Sequence, residues 1–137
     1  MDREQVDVLW HKHVGSRRLS WQAELRALHG LQKTKKLLFR DLYALYYSSK
    51  YWEIVRYIIL RRDAYACVQC KRVQELHVDH IVYPKRIGEE RMEDLQTLCI
   101  DCHQKKTKKY DMMAHYHRRN LVKIKKGDAL FSVLRTT

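Results

Sequence analysis

Two cysteine pairs constrain the fold of this 137-residue chain more than any other feature of its sequence. Each pair has C-x-x-C spacing, Cys67 with Cys70 and Cys99 with Cys102, and 28 residues separate the two pairs. A C-x-x-C turn, or zinc knuckle, presents two thiolates on one short loop, and a second knuckle completes the tetrahedral shell that zinc prefers. The spacing therefore predicts a structural Zn²⁺ site shared by two knuckles, with no open coordination position.

Two other uses of cysteine compete with zinc binding. A thioredoxin-like redox pair needs only one C-x-x-C motif after a strand, whereas this chain has two. Disulfides form mainly in secreted proteins, and the first residues of the chain lack a signal-peptide pattern. We therefore expect a cytoplasmic protein with reduced thiols, and no apolar run approaches the length needed to cross a membrane.

An Asp-His pair and a third histidine lie within this cysteine framework. Asp79 offers a hard oxygen ligand for a divalent cation, and His80 can accept a proton near neutral pH. His103 directly follows the second knuckle, so that a bound zinc ion would fix its position. A cation held by Asp79 and His103, with His80 free to activate a water molecule, would form a hydrolytic site for phosphodiesters.

A regular strand complicates this interpretation. Adjacent strand residues face opposite sides, so Asp79 and His80 can share a site only at a twisted strand end or a bulge. The alternative is a hydrogen-bonded Asp-His pair on a surface strand. His77 lies on the same nominal face as Asp79 and could assist the site or be an ordinary surface histidine.

The net charge of +12 indicates a polyanionic partner, nucleic acid first and an anionic membrane surface second. The charge is unevenly distributed: residues 103–137 carry +8, while residues 72–102 carry −3. An acidic segment within a basic chain is the pattern expected of a cation site on a nucleic-acid-binding surface.

Hydrophobic periodicity predicts a mainly helical chain with a short strand near the Asp-His pair. The predicted elements are helices at 2–14, at 21–28 (capped by Ser20 and stopped by Gly30), at 31–47 and at 50–62 (capped by Ser48 or Ser49), a strand at 75–83 ended by Pro84, and a basic helix from Cys102 or His103 to about Asn120. We predict an α+β protein divided into a helical N-terminal extension (1–47), a central domain (48–120) and a C-terminal docking segment (121–137).

The motifs within residues 48–110 resemble the HNH endonuclease family, and more narrowly its zinc-stabilised, four-cysteine bacterial and phage members. The resemblance rests on Tyr51-Trp52, Arg61-Arg62-Asp63, Cys67-x-x-Cys70, Val78-Asp79-His80, Leu98-Cys99-x-x-Cys102-His103 and Lys106-Thr107. It implies a ββα-metal core, in which a hairpin and a helix clasp one divalent ion such as Mg²⁺ or Mn²⁺. It also implies cleavage of DNA, with Asp79 and His103 as ligands of that ion and His80 as the general base.

In the HNH arrangement the helix after His103 lies against the cleaved strand, which implies phosphate contacts from Lys105, Lys106, Lys108, Lys109, Arg118 and Arg119. The chain departs from the family where members often place Asn before the Leu-x-x-Leu-Cys run, because Asp94 stands there. As a catalytic-site residue Asp94 keeps its acceptor oxygens but lacks amide donors. Two alternatives stay open: a non-catalytic zinc-dependent nucleic-acid-binding module and a nuclease acting on RNA. The oligomeric state is also open, and a homodimer is possible.

Overall fold

The computed structural model describes residues 2–15 and 20–108. Its helices are α1 (Arg3–His13), α2 (Trp21–Thr34), α3 (Phe39–Tyr47) and α4 (Lys50–Arg62), and its strands are β1 (Leu76–His80) and β2 (Leu95–Cys99). A further helix, α5, covers residues 100–108. This mixture of helices with an antiparallel strand pair confirms the predicted α+β class.

Side-chain caps start several of these helices. The Ser20 hydroxyl accepts a hydrogen bond from the backbone N–H of Ala23, which confirms Ser20 as the N-cap of α2. Of the two serines proposed to cap α4, Ser49 is the one whose hydroxyl accepts from the Trp52 N–H, at 3.1 Å. The Ser48 hydroxyl instead donates to the carbonyl of Leu45 in the preceding helix.

The predicted end of α2 is wrong. We expected Gly30 to stop the helix and a new helix to cover 31–47, but α2 continues through Gly30 to Thr34 and α3 begins only at Phe39. Glycine inside a helix costs about 1 kcal/mol relative to alanine. Burial of Trp21, Leu25 and Leu28 on one face of α2 outweighs that cost. The helix ends instead at Lys35, which adopts the left-handed conformation with φ 54°.

The chain divides into two compact units. The first, here the helical unit, comprises Met1–Ile58 and Pro84–Met92. Its core is rich in aromatic side chains, and the segment 84–92 adds the buried Ile87, Gly88 and Glu90. Within this unit the Tyr46 hydroxyl donates to Glu90 Oε2 at 2.9 Å and the Tyr51 hydroxyl donates to the Gly88 carbonyl at 3.0 Å.

The second unit, here the cysteine unit, comprises Ile59–Tyr83 and Glu93–Thr137. In it β1 and β2 pair antiparallel, with Leu76 opposite Cys99 and His80 opposite Leu95. The strand predicted at 75–83 is therefore shorter than expected and ends at His80. The chain turns there because the N–H groups of Ile81 and Val82 both point to the Asp94 carbonyl, at 2.7 and 3.4 Å.

The end of α4 is fastened to β2 within the cysteine unit. The Arg62 guanidinium donates to the carbonyl of Leu95 at 2.7 Å and pairs with the Asp63 carboxylate at 2.9 Å. Asp63 Oδ2 in turn accepts from the backbone N–H of Thr97 at 3.0 Å. This arrangement holds the start of the cysteine loop beside the strand that ends in Cys99. Among the described residues, no helix is both long enough and apolar enough to cross a membrane.

Candidate metal centre and active site

The four cysteines converge on one point. Their Sγ atoms all lie within 4.8 Å of one another, and the Cys70 and Cys99 sulfurs are 3.5 Å apart. A tetrahedral zinc ion with Zn–S bonds of about 2.3 Å separates its sulfur ligands by about 3.8 Å. The side chains of Cys67, Cys99 and Cys102 are buried together with Leu98, and Val68 and Leu76 pack against this cluster. Both the spacing and the ligand type therefore fit a structural zinc ion.

Backbone donors favour ionised sulfur at two of these positions. Burial opposes ionisation of Cys67, but hydrogen bonds from the backbone of Cys70, Cys99 and Gln69 outweigh it and lower the pKa of the Cys67 thiol to about 6. The backbone N–H of Cys102 lowers the pKa of Cys99, whereas a side-chain hydrogen bond with Cys99, followed by burial, raises the pKa of the Cys102 thiol to about 12. Thiolates are the form that binds metal.

Asp79 is a buried carboxylate whose two oxygens have different surroundings. Oδ2 accepts hydrogen bonds from the Lys106 ammonium and from Gln96 Nε2, the latter at 3.0 Å. Oδ1 is fully buried and has no hydrogen-bond partner. His103 Nε2 lies 3.6 Å from this oxygen. A divalent cation binds such ligands at about 2.0–2.2 Å, so both atoms can reach one ion.

His80 lies at the end of β1 and is fully buried. Its ring stacks on that of Tyr83, with centroids 4.3 Å apart and an interplanar angle of 13°. Its carbonyl oxygen accepts a hydrogen bond from the Lys106 ammonium at 2.7 Å. His80 is the last residue of β1, and the strand keeps a regular register with β2 up to that residue, which lies opposite Leu95.

The remaining predicted site residues have diverse surroundings. Asp94 is buried at the end of a 3₁₀ turn (Met92–Asp94), and its carbonyl holds the turn after His80. Lys105 and Lys108 are exposed on α5, whereas Lys106 is directed into the Asp79 site. Lys109, Arg118 and Arg119 lie outside the described residues.

Two residues near Asp79 were missed or left undecided by the sequence. Gln96 was not singled out, and only the register that sets it opposite Asp79 could have identified it. His77 stacks on His103, with ring centroids 5.6 Å apart and an interplanar angle of 29°. In the described part of the chain, the cysteines are the one group of three or more potential ligands close enough to share an ion.

Comparison with known proteins identifies the family of this chain. The family model described as HNH endonuclease matches residues 67–109, which include all four cysteines, Asp79, His80 and His103. A protein of Lactococcus phage SK1 described as a probable HNH endonuclease is 36% identical over 76 residues, covering 47% of this chain and 78% of the relative. The chain therefore belongs to the HNH endonuclease family, and its family membership supports a nuclease. No solved structure matches it significantly.

Proposed function

We propose that the protein is a metal-dependent endonuclease that hydrolyses phosphodiester bonds of DNA, most favourably double-stranded DNA. Family membership supports the reaction class. The single observation that carries the proposal is the Asp79 carboxylate: its buried Oδ1 has no hydrogen-bond partner and faces His103 Nε2 at 3.6 Å. A buried carboxylate oxygen that accepts no hydrogen bond is energetically costly in a folded protein, and a bound cation would remove that cost.

Two groups of side chains would each hold a different kind of metal ion. Cys67, Cys70, Cys99 and Cys102 would hold Zn²⁺, which fastens the turn before β1 to the start of α5. Asp79 and His103 would hold Mg²⁺, Mn²⁺ or another divalent cation, which supplies stabilisation of the charge that develops on the phosphate and the leaving oxygen.

The protein side chains supply orientation and proton transfer. His80 acts as the general base and takes a proton from the attacking water, while stacking on Tyr83 restricts its ring. Lys106 and Gln96 hold Oδ2 of Asp79, so that Oδ1 is directed toward His103. Asp94 keeps the chain after His80 in its turn through its carbonyl oxygen.

Phosphate contacts are proposed for the basic side chains that follow His103. Lys105 and Lys108 are exposed on α5, on the element that also carries His103. The same contact is proposed for Lys109, Arg118 and Arg119 on the sequence argument alone. Such contacts bind the backbone of the substrate and carry no sequence information.

A second candidate function is a non-catalytic zinc-dependent nucleic-acid-binding module. The Lys106 ammonium favours it, because this group already compensates the charge of Asp79. A site satisfied by an internal cation would bind DNA through its basic residues without cleaving it. The two candidates share their fold and differ in whether a divalent ion changes the substrate.

The test is a nicking assay on supercoiled plasmid with zinc-loaded protein and added Mg²⁺ or Mn²⁺. The variant His80→Ala should nick about 10²–10⁴-fold more slowly, because the base is lost. His11→Ala, an exposed histidine of α1, should match the wild type. Equal rates for His80→Ala and wild type would refute the role of His80. A folded wild type that binds plasmid but nicks it with neither metal would favour the non-catalytic module.

The same assay identifies the substrate class. Matched single- and double-stranded DNA and RNA of one sequence should be cleaved with double-stranded DNA preferred. Faster cleavage of the RNA substrates would overturn the choice of DNA and leave the nuclease assignment standing.

A further inference from the structure

The C-terminal end of α2 carries exposed cationic side chains that the proposed cleavage site does not use. Residues 25–40 contain no Asp or Glu, and Lys33, Lys35 and Lys36 lie there at the helix end. Together with Lys85 they are here called the lysine patch. All four residues are exposed and belong to the helical unit.

Hydrogen bonds to α2 hold the backbone of Lys85 against the last turns of that helix. The Gln32 side chain donates to the Lys85 carbonyl at 3.2 Å and accepts from the Ile87 N–H at 3.0 Å. His29, one turn earlier, contacts the Ile87 carbonyl at 2.7 Å. Residues 85–87 therefore run along the last turns of α2, where Lys33 is the neighbour of Gln32.

The lysine patch is not neutralised by nearby acids. In the described part of the chain, the ammonium groups of its four lysines have no hydrogen-bond or ion-pair partner, whereas neighbouring arginines do. Arg40 pairs with Asp41 at 3.4 Å and Arg86 pairs with Glu89 at 3.1 Å. Three of these lysines lie within four consecutive residues at the end of α2, and the backbone of the fourth is hydrogen-bonded to Gln32. Such a concentration of unpaired ammonium groups raises the local positive potential and suits a polyanion.

Lysine is an unusual residue at the position of Lys35. It ends α2 in the left-handed conformation with φ 54°, where glycine or asparagine is usual because a longer side chain adds strain. Favourable interaction with the helix dipole explains a lysine in the last turn, such as Lys33, but requires neither a lysine at φ 54° nor Lys85.

We propose that the lysine patch is a second nucleic-acid contact, which binds the phosphate backbone of the substrate outside the cleavage site. The proposal rests on the proposed function only for the identity of the polyanion. The apolar face of α2 formed by Trp21, Leu25 and Leu28 is buried within the helical unit. Leu31, Leu37 and Leu38 beside the patch are 39–40% exposed, so an anionic membrane surface is the competing partner that the vesicle arm of the experiment tests. The charge of the patch and the proposed nuclease function favour nucleic acid.

The experiment measures binding of a labelled DNA duplex by fluorescence anisotropy, with zinc-loaded full-length protein and no Mg²⁺ or Mn²⁺. The variant that replaces Lys33, Lys36 and Lys85 by Gln should bind more than about 10-fold more weakly at ~0.1 M salt, with a salt-dependence slope reduced by about 3. Lys12→Gln, an exposed lysine of α1 in the same unit, is the control and should bind like the wild type.

Lys35 provides a sharper comparison because charge and strain act in opposite directions there. Lys35→Gly and Lys35→Asn should each melt at or above the wild-type temperature while the salt-dependence slope falls by about 1. Loss of binding accompanied by lower melting temperature in both would attribute the effect to folding and overturn the proposal. Slopes equal to the wild type in all the patch variants would also overturn it.

The outcomes separate this proposal from the proposed nuclease function. If the wild type does not nick DNA but the patch variants bind DNA more weakly than the wild type, the nuclease function is refuted and the role of the lysine patch stands. If the patch variants nick DNA at the wild-type rate and bind it as tightly as the wild type, the role of the lysine patch is refuted and the nuclease function stands. Vesicles containing anionic phosphatidylserine form the last arm: patch-dependent vesicle binding with unchanged DNA binding would assign the surface to a membrane instead.

Discussion

At the scale of single residues, the two oxygens of the Asp79 carboxylate have different partners. Lys106 and Gln96 both donate to Oδ2, and Oδ1 is left to face His103. His103 and Lys106 are three apart on α5, so they share one face of the helix. The helix that supplies a proposed ligand therefore also supplies the group that orients the carboxylate.

Replacing Lys106 by Met keeps most of its aliphatic length and removes the ammonium that holds Oδ2. We expect the plasmid-nicking rate of Lys106→Met to fall by about 10–100-fold, because outer-shell partners of metal ligands carry effects of this size. The matched control is Lys105→Met, whose side chain is exposed on the same helix. It should weaken DNA binding and leave the dependence of nicking on Mn²⁺ concentration unchanged. A Lys106→Met enzyme with the wild-type rate would contradict the orienting role.

The Asp63 carboxylate is expected to make the free energy of unfolding of the cysteine unit depend on pH. Burial favours its neutral form, but hydrogen bonds from Arg62 and Thr97 outweigh burial and lower the pKa of the Asp63 carboxyl. Its stabilisation is therefore complete above the unfolded-state pKa of about 3.9 and is lost as pH falls through the lower folded-state pKa.

The variant Asp63→Asn should reduce the free energy of unfolding by about 1–3 kcal/mol at pH 7, because bonds to a charged acceptor are lost. Urea unfolding at pH 7 and at successively lower pH should show this difference shrinking below about pH 4. Asp101→Asn removes the exposed partner of Arg72 and should change stability by less than about 1 kcal/mol. A difference for Asp63→Asn that stays constant with pH would show that its charge contributes nothing.

At the scale of elements, Cys99 joins β2 to α5. It is the last residue of β2, its sulfur accepts from the Cys102 N–H at 3.4 Å, and α5 begins at the next residue. The backbone N–H of Ile100 donates to Glu75, just before β1, at 2.9 Å. A zinc ion at the four sulfurs would therefore stabilise both strands and the start of the helix that carries His103.

Replacing one cysteine should show how strongly zinc binding stabilises these elements. We expect one zinc ion per chain in the wild type by elemental analysis, and Cys99→Ser should lose it and melt more than about 10 °C lower. Gln69→Ser changes an exposed residue inside the first knuckle and should keep both zinc and melting temperature. Melting that neither a chelator nor Cys99→Ser alters would remove the structural role assigned to zinc.

The sequence best predicted the elements whose capping residues, apolar spacing and charged ends all indicate the same boundaries. Helix α4 lies at the predicted 50–62, because its serine cap, its apolar spacing and its basic end all mark the same boundaries. The break between α2 and α3 was misplaced, because burial of one face of α2 overrode the helix-stopping tendency of Gly30. Gln96 was missed because strand register is set by pairing along the whole hairpin and not by the residue itself.

At the scale of the whole molecule, the family motifs indicated which residues lie close together but not how each side chain is directed. They include the four cysteines, whose sulfurs all lie within 4.8 Å of one another, and Asp79 and His103, whose Oδ1 and Nε2 atoms are 3.6 Å apart. The roles of Asp79 and His103 stay predictions. The motifs could not show that Lys106, predicted to contact phosphate, turns its ammonium to Asp79, since side-chain direction depends on which face of α5 meets the hairpin. The boundaries 1–47, 48–120 and 121–137 stay predictions.

The helical unit takes its interior from two separate stretches of chain. Its second stretch supplies Ile87, the Gly88 carbonyl that Tyr51 requires and the Glu90 carboxylate that Tyr46 requires. During synthesis on the ribosome, this unit cannot close its interior until residue 92 has emerged, after the first cysteine knuckle has already appeared. A fragment cut after Ile58 would leave both tyrosine hydroxyls without these acceptors and should be prone to aggregation.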